Sequence, residues 1–312
     1  MNQEPMDESA EVPCDENPEA RVPKTLYDPL LPTAREVAEH NLTHCPYRNW
    51  CKVCKETRGK EDPHKRDREF NPEEAGLPEV GMDYDYYGDD EDSAKRVTAL
   101  IIKDRNTGML FGSVCHMKGT GDGWITAKSL RDIDLLGRMN ICLKTDGEPS
   151  LVAVQNKIIS SRDGTTQPRN PPAYNPESNG AIEKGVQDSN SQLRTVKRAL
   201  EVRIGEVIDV SHPIMEWCLQ HACFVRNIAA VGHDGKTPWK RLTGRDWGRP
   251  LVEFGECVLG KLARQRMDRK ARSKNLTVKR KMQPRLVEGI WVGQLMRTGK
   301  ISSSLLLGRQ SG

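Results

Sequence analysis

The apolar positions of this chain change period along its length, and each change marks an element. From Glu79 to Gly88 they alternate. Val80, Met82, Tyr84 and Tyr86 fall on one face, and Gly81, Asp83, Asp85 and Tyr87 on the other, which predicts a strand. Arg96–Asp104 (RVTALIIKD) predicts a second strand, Asn106-Thr107-Gly108 a tight turn, and Met109–His116 (MLFGSVCH) a third strand, so the three form an antiparallel meander. Trp124, Ala127, Leu130, Ile133 and Leu135 then predict a helix over Gly123–Leu136. Asn140–Thr145 (NICLKT) reads as a short buried strand ending at Asp146, with a helix over Ser150–Ile159 after it. From Pro168 the chain is a Pro/Asn/Gly-rich loop running through Ser178-Asn179-Gly180. Ile182, Val186, Leu193, Val196 and Leu200 follow at three- and four-residue steps or their sums, so a long amphipathic helix begins there and turns one stripe to a core. Ser211–Ala230 predicts another helix, burying Ile214, Trp217, Cys218, Ala222 and Val225 and leaving His221 as a packed surface histidine. Gly255–Leu262 and Gly289–Leu295 read as strands.

Three strands, a helix, a strand ending in an acid and further helices make an α/β layer architecture with a mixed sheet. In such sheets reactive groups gather where strand ends open into loops. Asp83 lies on the first strand, Asp146 just past the fourth, and Glu183 in the first turn of the long helix. Asp85 shares a strand face with Asp83 and is a rival for its role.

Composition alters the picture at the two ends. Hydrophobic residues make up 36% and aromatics 5% of the 312 residues, low for a wholly compact chain, so part of it reads as tail or linker. Residues 1–30 carry eight acids against Arg21 and Lys24 and read as disordered, and the acidic N-terminus is not a signal peptide. Lys60–Pro78 reads as a linker. Residues 261–285 carry eleven Lys/Arg against Asp268 alone, a basic block that points to nucleic acid, with a solvated hinge as the competing reading. Its expected contacts are Arg269, Lys270, Arg272, Lys274, Lys279, Arg280 and Lys281, with the flanking strands forming part of a small barrel. Asn179 and Lys184 join them from the loop and the long helix. No apolar run approaches a membrane span, and nine cysteines without framework spacing argue for a reducing, intracellular compartment.

Between Thr33 and His64, Ala34, Val37, Ala38 and Leu42 stand at helical spacing. His40-x3-His44 is followed by Cys51-x2-Cys54. Two histidines one helical turn apart share a face, and the Cys-x2-Cys knuckle supplies two thiolates, the donors of a zinc site. Cys45 and His64 are substitute ligands, and two ordinary cysteines beside helix-surface histidines are the competing reading.

Three carboxylates are a minimal cage for a pair of hard divalent ions, Mg²⁺ or Mn²⁺, in phosphoryl chemistry. Asp83 in VGMDYDYYG, Asp146 in LKTDGEPSL and Glu183 in YNPESNGAIEKGVQ resemble the D, D, E motif of retroviral and retrotransposon integrases, with 36 residues between Asp146 and Glu183. Tyr174–Gly180 resembles the family's catalytic loop. HDGKTPWKRLTGRDWGRPLVEFGECV and GIWVGQLMRTGK resemble the segments that follow the core in Copia-type elements. The chain departs from the pattern at Asp146-Gly147-Glu148, where the family shows Asp-Asn-Gly. The His40/His44/Cys51/Cys54 set is similar in ligand order to the family's zinc-binding segment, with a much shorter middle loop.

The resemblance implies a ribonuclease-H-like mixed sheet flanked by helices, with a small zinc-knuckle-like segment before it and a basic, partly β region after it. The expected organisation is an acidic tail over 1–30, a zinc-binding segment over 31–66, a catalytic core over 79–232 and a basic C-terminal region over 233–312. It implies an enzyme, a segment of a long-terminal-repeat retrotransposon Pol polyprotein. This enzyme would cut and join DNA with two Mg²⁺ or Mn²⁺ ions on Asp83, Asp146 and Glu183 and would act as a homo-oligomer on DNA ends, in the nucleus during integration. The alternative is a domesticated or inactive copy that binds nucleic acid and zinc without catalysis.

Overall fold

The computed structural model describes residues 32–58, 76–88, 96–121, 123–169, 180–261, 286–294, 296 and 303–306. Those residues fall in one compact unit, Pro32–Gly312. The expected acidic tail, most of the expected linker, His64, Asn179 and the seven basic contacts between Arg269 and Lys281 lie outside the described residues.

The alternating segment is strand β1 (Glu79–Tyr87), followed by β2 (Val97–Asp104), β3 (Leu110–Cys115), helix α3 (Gly123–Asp134), β4 (Ile141–Lys144) and α4 (Pro149–Ser161). Two short helices, α1 (Ala34–Asn41) and α2 (Lys52–Arg58), precede them. Thr33 caps α1 in a capping box, its hydroxyl accepting from the Glu36 N–H while Glu36 accepts from the Thr33 N–H.

The main sheet has the order β3-β2-β1-β4-β5, where β5 is Thr166–Arg169. The meander pairs antiparallel, with Met82 opposite Ile102 and Ile102 opposite Phe111. β4 runs parallel to β1, and β5 parallel to β4. This is the expected mixed sheet of a ribonuclease-H-like fold. β5 is an addition, because TQPR has no apolar alternation and carries Pro168, which reads as loop. It sits at the sheet edge, where a proline interrupts no second ladder.

Each sheet face carries its own core. Val80, Met82 and Tyr84 pack with Leu100, Ile102 and Phe111 against Ile125 and Ile133 of α3 and Leu151, Val154 and Ile158 of α4. The opposite face, Ala99, Ile101 and Leu110, is covered by α5 (Gly180–Ile204) and α6 (Ile214–Ala229) through Ile182, Leu193, Val196, Leu219 and Cys223. The two sides of β1 therefore divide as the alternation predicted. At Gly112 an added Cβ would lie 2.9 Å from Leu219 Cγ, so α6 approaches the sheet closely there.

His221 is a correction. It is 4% exposed, a core residue and not a surface one. Helix α6 is covered on its second side by Phe254 and Val292, contributed by chain far downstream, so a single apolar stripe understates its burial.

A further short helix, α7 (Pro238–Thr243), is capped by Thr237 and ends at Gly244 in the left-handed conformation. Strands β6 (Cys257–Lys261), β7 (Leu286–Gln294) and β8 (Ser303–Leu306) make a second, antiparallel sheet of order β6-β7-β8. Among the described residues the C-terminal strands thus form a three-stranded sheet, where a small barrel was expected.

Candidate active site and metal centre

The parallel register places the first two carboxylates. Gly81 is level with Lys144, the last pair of the ladder; Asp83 follows two residues on along β1, and Asp146 two residues on in the loop that leaves β4. Adjacent strands run about 4.8 Å apart. The third carboxylate depends on close approach by a helix. A Cβ at Gly81 would stand 3.0 Å from Ile182 Cβ, and one at Gly185 would stand 2.8 Å from Lys103 Cδ. The missing side chains let the first turns of α5 lie on β1 and β2, and Glu183, next to Ile182, is exposed at that junction.

The electrostatics agree with this placement. Burial pushes the Asp83 carboxyl up to about 6, and the negative charge of Asp146 adds to it. The Tyr84 backbone N–H pulls the other way, while Asp85 and Glu183 raise it further. Asp146 is exposed, and its Oδ1 accepts the Glu148 N–H at 3.0 Å. The three acids are neighbours without being a tight cluster. Among the described residues, only His40, His44, Cys51 and Cys54 bring one ligand atom each within 4.8 Å of all the others.

The rival, Asp85, lies deeper. It is buried, its Oδ1 accepts the Tyr86 N–H at 3.0 Å, and burial raises its pKa against the opposing influence of Tyr87 and Asn190. The extra acid Glu148, at the departure from the family pattern, is already engaged. Its Oε1 accepts from Lys118 Nζ at 2.9 Å and Ser150 Oγ at 2.7 Å, and its Oε2 accepts from Tyr86 OH at 3.5 Å. Lys118 also stands over the Tyr86 ring, 4.7 Å from its centroid. Nothing local in the sequence signals this Lys118–Glu148–Tyr86 network, because its members come from three separate segments. Lys184 is exposed and pairs with Asp188 at 3.3 Å.

The second site is the His/Cys set, and the structure brings all four residues together. His40 Nε2 lies 3.3 Å from Cys54 Sγ, and His44 Nδ1 lies 3.5 Å from Cys51 Sγ and 3.8 Å from Cys54 Sγ. All four side chains are buried. Zn–S bonds of about 2.3 Å and Zn–N bonds of about 2.0–2.1 Å give tetrahedral N···S edges of about 3.6 Å, so the donor set fits a four-coordinate divalent metal. Burial, then the Arg48 and Arg58 charges, lowers His40 to about 4. Burial, then His40 and Arg58, lowers His44 to about 4. Burial pushes the Cys54 thiol up to about 12. The histidines are therefore neutral donors at pH 7, and Cys54 must lose its proton to ligate. Cys45 is not drawn in; its Sγ donates to Gln192 Oε1 at 3.3 Å.

This knuckle docks on the back of α5. Gln192 Nε2 donates to the Thr43 carbonyl at 2.7 Å, and Arg58 donates to Gln192 Oε1 and, at 2.9 Å, to Thr195 Oγ1. Thr57 meets Thr195 at 2.9 Å, and Arg198 meets Glu56 at 2.8 Å. The helix that carries Glu183 at one end thus seats the His/Cys knuckle along its length.

No protein-family model matches this chain, and no curated protein matches it. Solved structures similar to it are retroviral integrases at low identity. The catalytic core domain of BIV integrase is 19% identical, with a TM-score of 0.35, over 54% of this chain and 95% of that one. The HTLV-2 integrase catalytic core domain in complex with magnesium is 15% identical, with a TM-score of 0.38, over 53% and 97%. A chain of the simian T-cell lymphotropic virus intasome is 16% identical, with a TM-score of 0.41, over 83% and 81%. The ribonuclease-H-like assignment rests on the strand order and register described above.

Proposed function

We propose that this chain is an integrase of the retrotransposon type, the Copia-like segment of a Pol polyprotein. It hydrolyses a phosphodiester at the end of element DNA and joins the freed 3′-hydroxyl to target DNA. The observation that carries the reading is the half-buried Asp83 on the central strand, raised to about 6 by burial and by the charges of Asp146 and Glu183. A carboxylate held against its preferred ionisation by two neighbouring carboxylates is an arrangement that a divalent cation stabilises.

Asp83, Asp146 and Glu183 are the residues to hold two Mg²⁺ or Mn²⁺ ions. When bound, such a pair neutralises charge on the attacking and leaving oxygens and lowers the pKa of a nucleophilic water. The chain's own part is geometric. Asp83 would act from the central strand, Asp146 from the loop that leaves β4 and Glu183 from the first turn of α5. Lys118 keeps Glu148 out of the ligand set. His40, His44, Cys51 and Cys54 hold Zn²⁺, which ties α1 to α2 within the knuckle that docks on α5. DNA is the partner, reached through Asn179, Lys184 and the basic block, with a homo-oligomer assembled on the DNA ends and the nucleus as the place of integration. No described helix is long and apolar enough to cross a membrane.

The test is Asp146→Asn assayed for strand transfer with Mn²⁺. Loss of activity with an unchanged circular-dichroism spectrum and retained zinc is expected. A variant as active as the parent removes Asp146 from the site. A wild-type chain that binds DNA but neither hydrolyses nor joins it would instead be a non-catalytic copy.

A further inference from the structure

A row of basic residues crosses the main sheet beside the candidate metal site, and the carboxylate chemistry does not use it. Gly81 on β1 pairs with Lys103 on β2 and with Lys144 on β4, and Lys144 pairs with Arg169 on β5. Residues paired across a ladder point to one face of a sheet. Ile182 of α5 stands over Gly81, so this face also carries Asp83, two residues further along β1. At about 4.8 Å per strand, Arg169 lies about 10 Å across the sheet from Gly81. Its carbonyl accepts the N–H of Thr145, the residue before Asp146, at 3.3 Å. The Arg169 side chain turns to Glu79, where NH1 donates to Oε2 at 3.3 Å. Arg105 reaches the same carboxylate from the β2 side. Its NH1 stands 3.7 Å from Oε1, and its backbone N–H donates to the Glu79 carbonyl at 3.0 Å.

We propose that Arg105 and Arg169 form a binding site for one backbone phosphate of DNA, on the strand whose scissile bond lies at Asp83, Asp146 and Glu183. The inference rests on the reading of this chain as a DNA-joining enzyme. The charge at Glu79 is unbalanced. Two guanidinium groups meet one carboxylate, which leaves one positive charge, and a phosphodiester carries one negative charge. Donors are also to spare. A guanidinium presents its N–H groups in a planar fork that suits a phosphate, and a single long contact with Glu79 leaves most of each fork unused. Access is open on the arginine side. The Glu79 side chain is 10% exposed, whereas those of Arg105 and Arg169 are 55% and 61% exposed. A buried acid thus anchors two forks that face solvent. Phosphates recur about every 3.4 Å of axis along each DNA strand, so a site about 10 Å across the sheet takes a phosphate a few nucleotides from the scissile one. Such a contact fixes where the DNA lies and carries no base information.

The experiment is the salt dependence of duplex DNA binding by the full chain, read by fluorescence anisotropy. The proteins are wild type, Arg169→Gln, Arg169→Lys and, as a control for lost charge, Arg35→Gln. Each phosphate neutralised contributes about 0.9 to the slope of log K against log salt. Arg169→Gln leaves Glu79 and Arg105 as a neutral pair, so its slope should fall by about 0.9 and its affinity at about 0.1 M salt by about 5–10-fold. Arg169→Lys keeps the charge without the planar fork and should hold the wild-type slope to within about 0.3. Arg35 is 87% exposed on α1 and paired with Glu39 at 2.8 Å, and its loss should also leave the slope within about 0.3. Arg105→Gln should repeat the fall, and it carries the test if Arg169→Gln does not fold. Equal slopes in wild type and Arg169→Gln would make the triad a brace between β1 and β5 and overturn the phosphate site. So would equal falls in Arg169→Gln and Arg35→Gln, or a fall in Arg169→Lys as large as in Arg169→Gln. A wild-type chain that binds no duplex DNA overturns the DNA reading on which the site depends, and the two failures are told apart by the wild-type titration alone.

Discussion

Replacing Asp83 by Asn tests the candidate site through stability as well as activity. The carboxyl rises from 3.8 to about 6 on folding, so its ionisation opposes the folded state. Because the folded pKa lies above the unfolded one, the penalty is small below about pH 4, grows as pH rises and is complete above about pH 6. A shift of about two units at 1.36 kcal/mol per unit is about 3 kcal/mol; Asp83 is only half-buried, and solvent screening brings this to about 1–2 kcal/mol. At pH 5 the folded carboxyl is mostly protonated and the penalty is about half as large. Metal-free Asp83→Asn should therefore be more stable than wild type in urea at pH 7.5, by about 1–2 kcal/mol, with a smaller gain at pH 5. Added Mn²⁺ should raise the wild-type midpoint and leave the variant nearly unmoved, while strand transfer is lost. A variant less stable than wild type at both pH values would refute the electrostatic reasoning. So would a gain that does not change between pH 5 and 7.5, or equal stabilisation of both proteins by Mn²⁺.

Three further perturbations probe the supports of the two sites. Gly81→Val would push a branched side chain into Ile182 Cβ, 3.0 Å from even the first added carbon. It should cost about 1–3 kcal/mol and weaken Mn²⁺ binding by parting Glu183 from Asp83, with zinc content unchanged by metal analysis. Gln192→Ala removes a fully buried side chain that bonds Thr43, Cys45 and Arg58. It should cost about 1–3 kcal/mol and speed zinc release to a chelator; release at the wild-type rate would show that the knuckle does not depend on this dock. With His40 and His44 lowered to about 4 and Cys54 pushed up to about 12, zinc competes with thiol protons and not with histidine protons near neutrality. Zinc affinity should rise steadily from pH 6 to 8 in competition titrations; an inflection near pH 6.5 would mean that the histidines titrate normally.

Local periodicity was enough to read much of this molecule. The alternation of Val80, Met82 and Tyr84 with Gly81, Asp83 and Asp85 reports which side of a strand is buried, and the structure divides β1 along that line. The stripe from Ile182 to Leu200 likewise gave the long helix, and the meander followed from its turn residues. The spacing of two histidines and two cysteines is a local signal as well, and the four meet.

What needed the folded chain is the set of contacts between segments that carry no repeating pattern. β5 is polar and contains a proline, so only its pairing with β4 makes it a strand. Glu148 looks like a spare ligand until Lys118, thirty residues earlier, occupies it. Gln192 sits on the polar side of an amphipathic helix and is nonetheless fully buried, because the knuckle covers it. His221 sits on a helix whose second face is buried by downstream chain. Hydrophobic burial repeats with the geometry of the element that carries it and is written into neighbouring residues. A hydrogen bond between distant side chains has no period, and its partners are determined only when the layers pack.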